Sequence, residues 1–160
     1  MEQITVLGVG NILMQDEGFG VRVIERLLAQ YTCPENVQVL DGGTLGMELL
    51  RFLIGTNKLL LIDAINGEQP AGYMYQFNHD EVKSYFKGKI SMHELGIQDV
   101  LRTMEILEKP AQEIRILGVQ PLQIDIGLEM TPIVTNMVDN VVEQIVLILK
   151  EWQVEVVGKS

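Results

Sequence analysis

The chain reads as an α/β protein, a mostly parallel sheet with helices on both faces, and three features predict this. Short apolar runs alternate with segments whose apolar residues recur at helical spacing. Two runs, Lys58–Ala64 and Ile114–Val119, are nearly continuous, as strands covered on both faces are. Glycines and acids follow the strand ends, the edge at which open α/β sheets build their sites.

In chain order, Ile4–Leu7 is the first strand and runs into a glycine-rich loop, Leu7 to Gly20. Val21, Ile24, Leu27, Leu28 and Tyr31 then form a helical stripe, ended by Pro34. Val37–Leu40 is a second strand, finishing at Asp41-Gly42-Gly43-Thr44. A helix is expected from Leu45 to Ile54, with Gly55 at its C-terminal cap. Lys58–Ala64 is the third strand, and Asn66 to Gly72 a loop. Tyr73–Phe77 alternates weakly, as an edge strand would, and Asp80–Phe86 has the length of a short helix. Lys87-Gly88-Lys89 breaks the pattern. Ser91-Met92-His93-Glu94 has the spacing of a capping box, opening a helix that carries Ile97, Val100, Leu101, Met104 and Leu107. Ile114–Val119 is a further strand and Gln120 to Met130 a loop. Thr131-Pro132 starts a final helix reaching about Trp152, with Val134, Val138, Val141, Ile145 and Ile148 as its core stripe. The tail, Gln153 to Ser160, either adds a short strand or frays.

The 160 residues form a single domain on this reading, long enough for a core without staples. Net charge is −10, from 12 basic and 22 acidic residues, which opposes non-specific binding to nucleic acid or anionic membrane. The one cysteine, Cys33, excludes an internal disulfide and a Cys-rich zinc site. The N-terminus lacks the pattern of a signal peptide, and no apolar run reads as long enough to span a bilayer. The expected location is the cytoplasm.

Acids at strand ends carry the chemistry: Asp16 and Glu17 after the first strand, Asp41 after the second, Asp63 ending the third. Parallel strands bring these ends to one edge, where converging like charges must raise their pKa values or take a cation. His93, in the first turn of its helix, supplies a nitrogen. The positive end of the helix dipole disfavours imidazolium there, and neutral imidazole is the form that binds metal. Two carboxylates and an imidazole suit a borderline divalent ion such as nickel or zinc. A dinucleotide is disfavoured, because position 13 is Leu where the fingerprint needs its third glycine, and acids lie where a pyrophosphate would.

Other residues take plainer roles. Asp41 suits a turn, its side chain bonding the Gly42 and Gly43 amides. Asp16 is a support or solvated neighbour to Glu17. His79 suits the surface, Cys33 a small apolar residue, and Lys87 and Lys89 a solvated turn. No Ser-His-Asp or Cys-His arrangement is evident, which favours direct attack by water.

These motifs together resemble the nickel–iron hydrogenase maturation endopeptidases. The resemblance lies in Gly8-x-Gly10-Asn11-x-Leu13-x-x-Asp16-Glu17-Gly18-x-Gly20, Asp41-Gly42-Gly43-Thr44, Asp63-Ala64, Ser91-x-His93-Glu94-Leu95-Gly96 and Gly127-Leu128-Glu129-Met130-Thr131-Pro132. They fall in family order from Ile4 to about Trp152. The resemblance implies a twisted, mainly parallel five-stranded sheet between helices. It implies removal of a short C-terminal peptide from the precursor of the hydrogenase large subunit after nickel insertion. The family's metal-contacting residues correspond to Glu17, Asp63 and His93. On this view nickel arrives with the substrate, with zinc or cadmium as surrogates, and the base is a metal-activated water or a carboxylate such as Asp16 or Asp63. Rival expectations are a metal-dependent peptidase or amidohydrolase holding its own ion, and a non-enzymatic nickel-checking or nucleotide-binding module.

Overall fold

The structure, a computed structural model, describes residues 1–88 and 92–160, without the side chains of residues 85, 87, 88 and 92–95. The chain runs through β1 (Ile4–Val9), a 3-10 turn at Gln15–Gly18, α1 (Phe19–Gln30), β2 (Tyr31–Thr32) and β3 (Val37–Gly43). It continues through α2 (Leu50–Leu53), β4 (Lys58–Ala64), β5 (Met74–Phe77), α3 (Val82–Gly88) and α4 (Met92–Ile106). It ends with β6 (Glu113–Val119), α5 (Pro132–Thr135), α6 (Val138–Glu151) and β7 (Val157–Gly158).

Five strands form one sheet in the order β3-β1-β4-β6-β5. The first three pairings are parallel, and β5 closes the edge antiparallel to β6, as its alternation predicts. The register pairs Ile4 with both Val37 and Lys58, and Lys58 with Glu113, so the strands start level.

Side-chain alternation divides the interior into two layers. Ile4 and Val6 of β1, Leu60 and Ile62 of β4, and Leu117 and Val119 of β6 pack under α1 and α6. Leu7, Val9, Leu59, Leu61 and Ile116 face the opposite way, against Leu49, Leu53, Val82, Ile97, Val100 and Met104. Burying a large aliphatic side chain contributes about 1.5–3 kcal/mol, and both faces of β4 are lined with them.

Three expectations are corrected. The helix expected at Leu45–Ile54 shrinks to a 3-10 turn, Met47–Leu49, followed by the single turn α2. Gly46, at φ −109° and ψ −113°, holds a backbone conformation no helix uses, so helical winding starts only beyond it. Gly55 does lie just past the helix end, at φ +93°. The final helix is broken at residues 136–137. There the Met137 amide donates to Val134 O, three residues back, where the Asn136 amide donates to Pro132 O, four back.

The third correction concerns membrane-length segments. Pro132–Glu151 spans 20 residues with mean hydropathy 1.3, long and apolar enough by composition to cross a bilayer. Its stripe of Val134, Val138, Val141, Ile145 and Ile148 is instead packed in the core beside α1, as the periodicity predicts. The tail adds a strand: β7 pairs antiparallel with β2.

Candidate active site

The strand order fixes where a crevice must open. From β1 the chain passes through α1 to β3 on one side, then crosses back to β4 on the other. Connections therefore diverge between β1 and β4, and the loops at their carboxyl ends part to leave a cleft. Glu17, on the Gln15–Gly18 turn, and Asp63, one residue from the end of β4, both lie at this edge of the sheet.

Glycines allow the close fit around Glu17. A Cβ on Gly8 would stand 2.3 Å from Gly20 O and 2.4 Å from Ile24 Cγ1, so α1 settles directly onto β1. A Cβ on Gly20 would stand 2.3 Å from Ile62 O and 2.4 Å from Val9 O, which seats the first turn of α1 on the ends of β1 and β4. Gly10 is the most constrained. Its φ is +134°, and a Cβ there would lie 2.0 Å from the backbone carbonyl oxygen of Glu17. Gly10→Ala is accordingly expected to displace the Glu17 turn and to cost about 2 kcal/mol or more. A urea-unfolding midpoint equal to that of the parent chain would refute this.

Asp63 is fully buried. Alternation along β4 places it on the face shared by Leu59 and Leu61, the one α4 covers. Its Oδ1 accepts the Ala64 amide at 2.8 Å. The start of α4 reaches the same edge. A Cβ on Gly96, one turn beyond His93, would be 3.3 Å from Gly46 Cα, so the helix begins against the loop that follows β3. His93 lies in that first turn, where the sequence placed it. Its imidazole, the Glu94 side chain and residues Ser91 and Lys89 lie outside the described residues, whereas Lys87 and Gly88, expected in a turn, continue α3. Among the described residues no group of three His, Cys, Asp or Glu side chains converges closely enough to hold a metal. The backbone thus brings the Glu17 turn, Asp63 and the start of α4 to one edge of the sheet.

Asp16 differs from its expectation as a solvated neighbour of Glu17. It is fully buried, and its carboxylate accepts four hydrogen bonds from the loop after β6. Oδ2 takes the Leu122 amide at 2.9 Å, the Gln123 amide at 3.0 Å and the Thr131 hydroxyl at 2.8 Å, while Oδ1 takes the Thr131 amide at 2.7 Å. Backbone bonds complete the joint: Gln15 N to Gly127 O, Asp16 N to Gln123 O, and Gly127 N to Leu13 O. The supporting half of the sequence expectation stands, but the partners are residues 122–131 rather than Glu17. Thr131 does occupy the N-cap position of α5 with Pro132 behind it, yet its hydroxyl serves Asp16 and makes no cap bond. Beside it Gln15 adopts a left-handed φ of +49° and buries its Oε1 without a hydrogen-bond partner among the described residues.

Sequence reasoning also missed Gln120. Buried at the end of β6, it receives the Gly67 amide at 2.8 Å and the Tyr75 hydroxyl at 2.6 Å on Oε1, and donates to Asn66 Oδ1 at 3.0 Å. It braces the loop that follows Asp63. The signal was available: a glutamine directly continuing an apolar strand must find partners if buried.

The remaining candidates take minor parts. Asp41 is exposed, and among the described residues no hydrogen bond joins it to the Gly42 or Gly43 amides, so its expected turn role is not realised. Cys33 is half-buried, and burial pushes its thiol above the ordinary value while Lys159 pulls the other way. A thiol held protonated is a poor nucleophile, in keeping with its reading as a small apolar residue. His79 is at the surface, where its Nδ1 accepts the Ile114 amide at 2.9 Å.

Fold and site together define a doubly wound α/β protein with buried and half-buried carboxylates at its topological switch point. Comparison with known proteins narrows the class. The profile of the hydrogenase maturation protease family matches residues 21–148, and the chain belongs to that family and is a peptidase. It is 39% identical over 159 residues to the hydrogenase 2 maturation protease of Escherichia coli (strain K12), covering 99% of this chain and 97% of that protein. It is 36% identical over 157 residues to the hydrogenase expression/formation protein HupD of Rhodobacter capsulatus, covering 97% of this chain and 75% of that protein. The solved structure of the hydrogenase maturating endopeptidase HybD from E. coli superposes with a TM-score of 0.93 at 38% identity, covering 98% of each chain.

Proposed function

We propose that this peptidase removes a short C-terminal peptide from the nickel-loaded precursor of a hydrogenase large subunit, and that Glu17, Asp63 and His93 recognise the nickel. The observation that carries the reading is the meeting of the Glu17 turn, Asp63 and the first turn of α4 at the edge between β1 and β4. Two carboxylates and an imidazole match the donor preference of a borderline divalent ion. Nickel enters with the substrate, so occupancy of the three residues reports that the precursor is loaded.

The ion would hold the scissile carbonyl and polarise it as a Lewis acid, with water as the nucleophile. The base is then a metal-activated water or Asp63. Asp16 is the weaker choice, because its oxygens are committed to four donors from residues 122–131. The cytoplasm is the proposed location, where a chain with a lone cysteine stays reduced.

Incubating the purified chain with nickel-loaded precursor and reading intact masses tests the proposal. The expected result is a precursor shortened at its C-terminus, with nickel-free precursor uncut. An unchanged mass of the loaded precursor would leave a nickel-checking module, and stoichiometric metal in protein purified without added metal would favour a resident ion.

A further inference from the structure

The loop that Asp16 anchors exposes an unusual row of apolar side chains. Leu122, Ile124, Ile126 and Leu128 alternate along it, and their exposures reach 61% at Leu122 and Leu128 and 90% at Ile126. Leu13, whose carbonyl accepts the Gly127 amide, is exposed beside them. Single exposed apolar residues are ordinary, but a contiguous row of them marks a surface that binds something. This row is also held in place: the Leu122 and Gln123 amides are fixed on Asp16, Gly127 forms a bridge with Met14, and the Leu128 carbonyl accepts from Arg22. Ordering such a segment costs conformational entropy, which burial of the row in the loop's own core does not repay.

We infer that this row is the docking surface for the large-subunit precursor, and that it takes an extended apolar segment of low acidity beside the bond that is cut. The inference rests on the proposed function. Two observations select this occupant. The row is continuous with the candidate active site, because the bonds that hold it also hold the Gln15–Gly18 turn that bears Glu17. A chain cut beside Glu17 and Asp63 thus meets this row on the loop that is bonded to the Glu17 turn. The loop's own charges are acidic as well: Asp125 and Glu129 lie on it, no Lys or Arg occurs between Arg115 and Lys150, and the chain carries −10 overall, with Arg22 a cation bonded to it at the Leu128 carbonyl. An acidic segment or an anionic membrane would be repelled, whereas an apolar segment with neutral or basic neighbours fits.

The test is binding of purified nickel-loaded precursor, measured by titration calorimetry, with intact mass read in parallel. Ile126→Asp and the double variant Leu122→Asp/Leu128→Asp are expected to raise Kd about tenfold or more. Leu147→Asp, at an exposed apolar residue on α6, is expected to leave Kd unchanged. Ile126→Ser carries the comparison if aspartate disturbs the fold seen by circular dichroism. Loop variants that bind as tightly as the parent chain, or a parent chain that fails to bind, would overturn the inference. So would sedimentation showing that the parent is a dimer and the loop variants monomers, since the row would then cover a second copy. Binding that depends on the row without any change in precursor mass would uphold docking while removing the proposed cleavage.

Discussion

Glu17→Gln is expected to lower cleavage of the nickel-loaded precursor by about a hundredfold or more, while the chain keeps its fold. Even partners one step removed from a metal ligand typically cost about 10–100-fold when lost, and under the proposed nickel contact Glu17 should cost at least as much. The substitution keeps the side chain's shape but removes the charge that would face nickel. The fold should survive because the turn is held by its backbone: Glu17 N bonds Met14 O, Gln15 N bonds Gly127 O, and the Gly8 and Gly20 contacts seat α1 independently of the carboxylate. The measurement is single-turnover processing by mass spectrometry beside a thermal melt. Parent-like processing in a folded Glu17→Gln chain would remove Glu17 from the reaction. His93→Ala should behave the same way. Asp63→Asn should also lose processing, but Asp63 is fully buried, so its unfolding midpoint must be measured alongside to separate chemistry from stability.

Asp16→Ala should produce the largest loss of stability among the acids, about 2–4 kcal/mol in urea unfolding. Four donors lose their acceptor at once, and each buried group left unsatisfied costs about 1–3 kcal/mol, reduced where water reaches the loop. Asp16→Asn distinguishes holding from catalysis. Its amide offers one oxygen to donors that now occupy two, and turns an NH2 group toward N–H and O–H groups. An organising Asp16 predicts that this variant loses stability and activity together. A variant as stable as the parent but inactive would instead point to Asp16 as the base.

Much of this architecture is legible without coordinates, and the parts that are not share a cause. Lys58–Ala64 announces itself because a run of Leu and Ile covered on both faces has no polar interruption, and the structure returns the same seven residues as β4. The stripe of Val134, Val138, Val141, Ile145 and Ile148 survives the break at residues 136–137, because a change from i−4 to i−3 bonding rotates the helix little. Leu45–Ile54 misleads because its apolar spacing says nothing of the Gly46 backbone. For the candidate site, the sequence places Glu17 and Asp63 at strand ends, and the topology carries both to one edge. The partners of Asp16 are a different matter. They lie 106 to 115 residues away and are mostly backbone amides, which leave no trace in residue type. The same holds for Gln120, whose bonds reach Gly67, Tyr75 and Asn66 across two loops.

The bonds between Asp16 and Thr131 also impose an order in time. Glu17 and Asp63 are synthesised early, yet the turn bearing Glu17 gains its last supports only after Thr131 has left the ribosome. A growing chain stopped short of that point owns both acids but no finished centre.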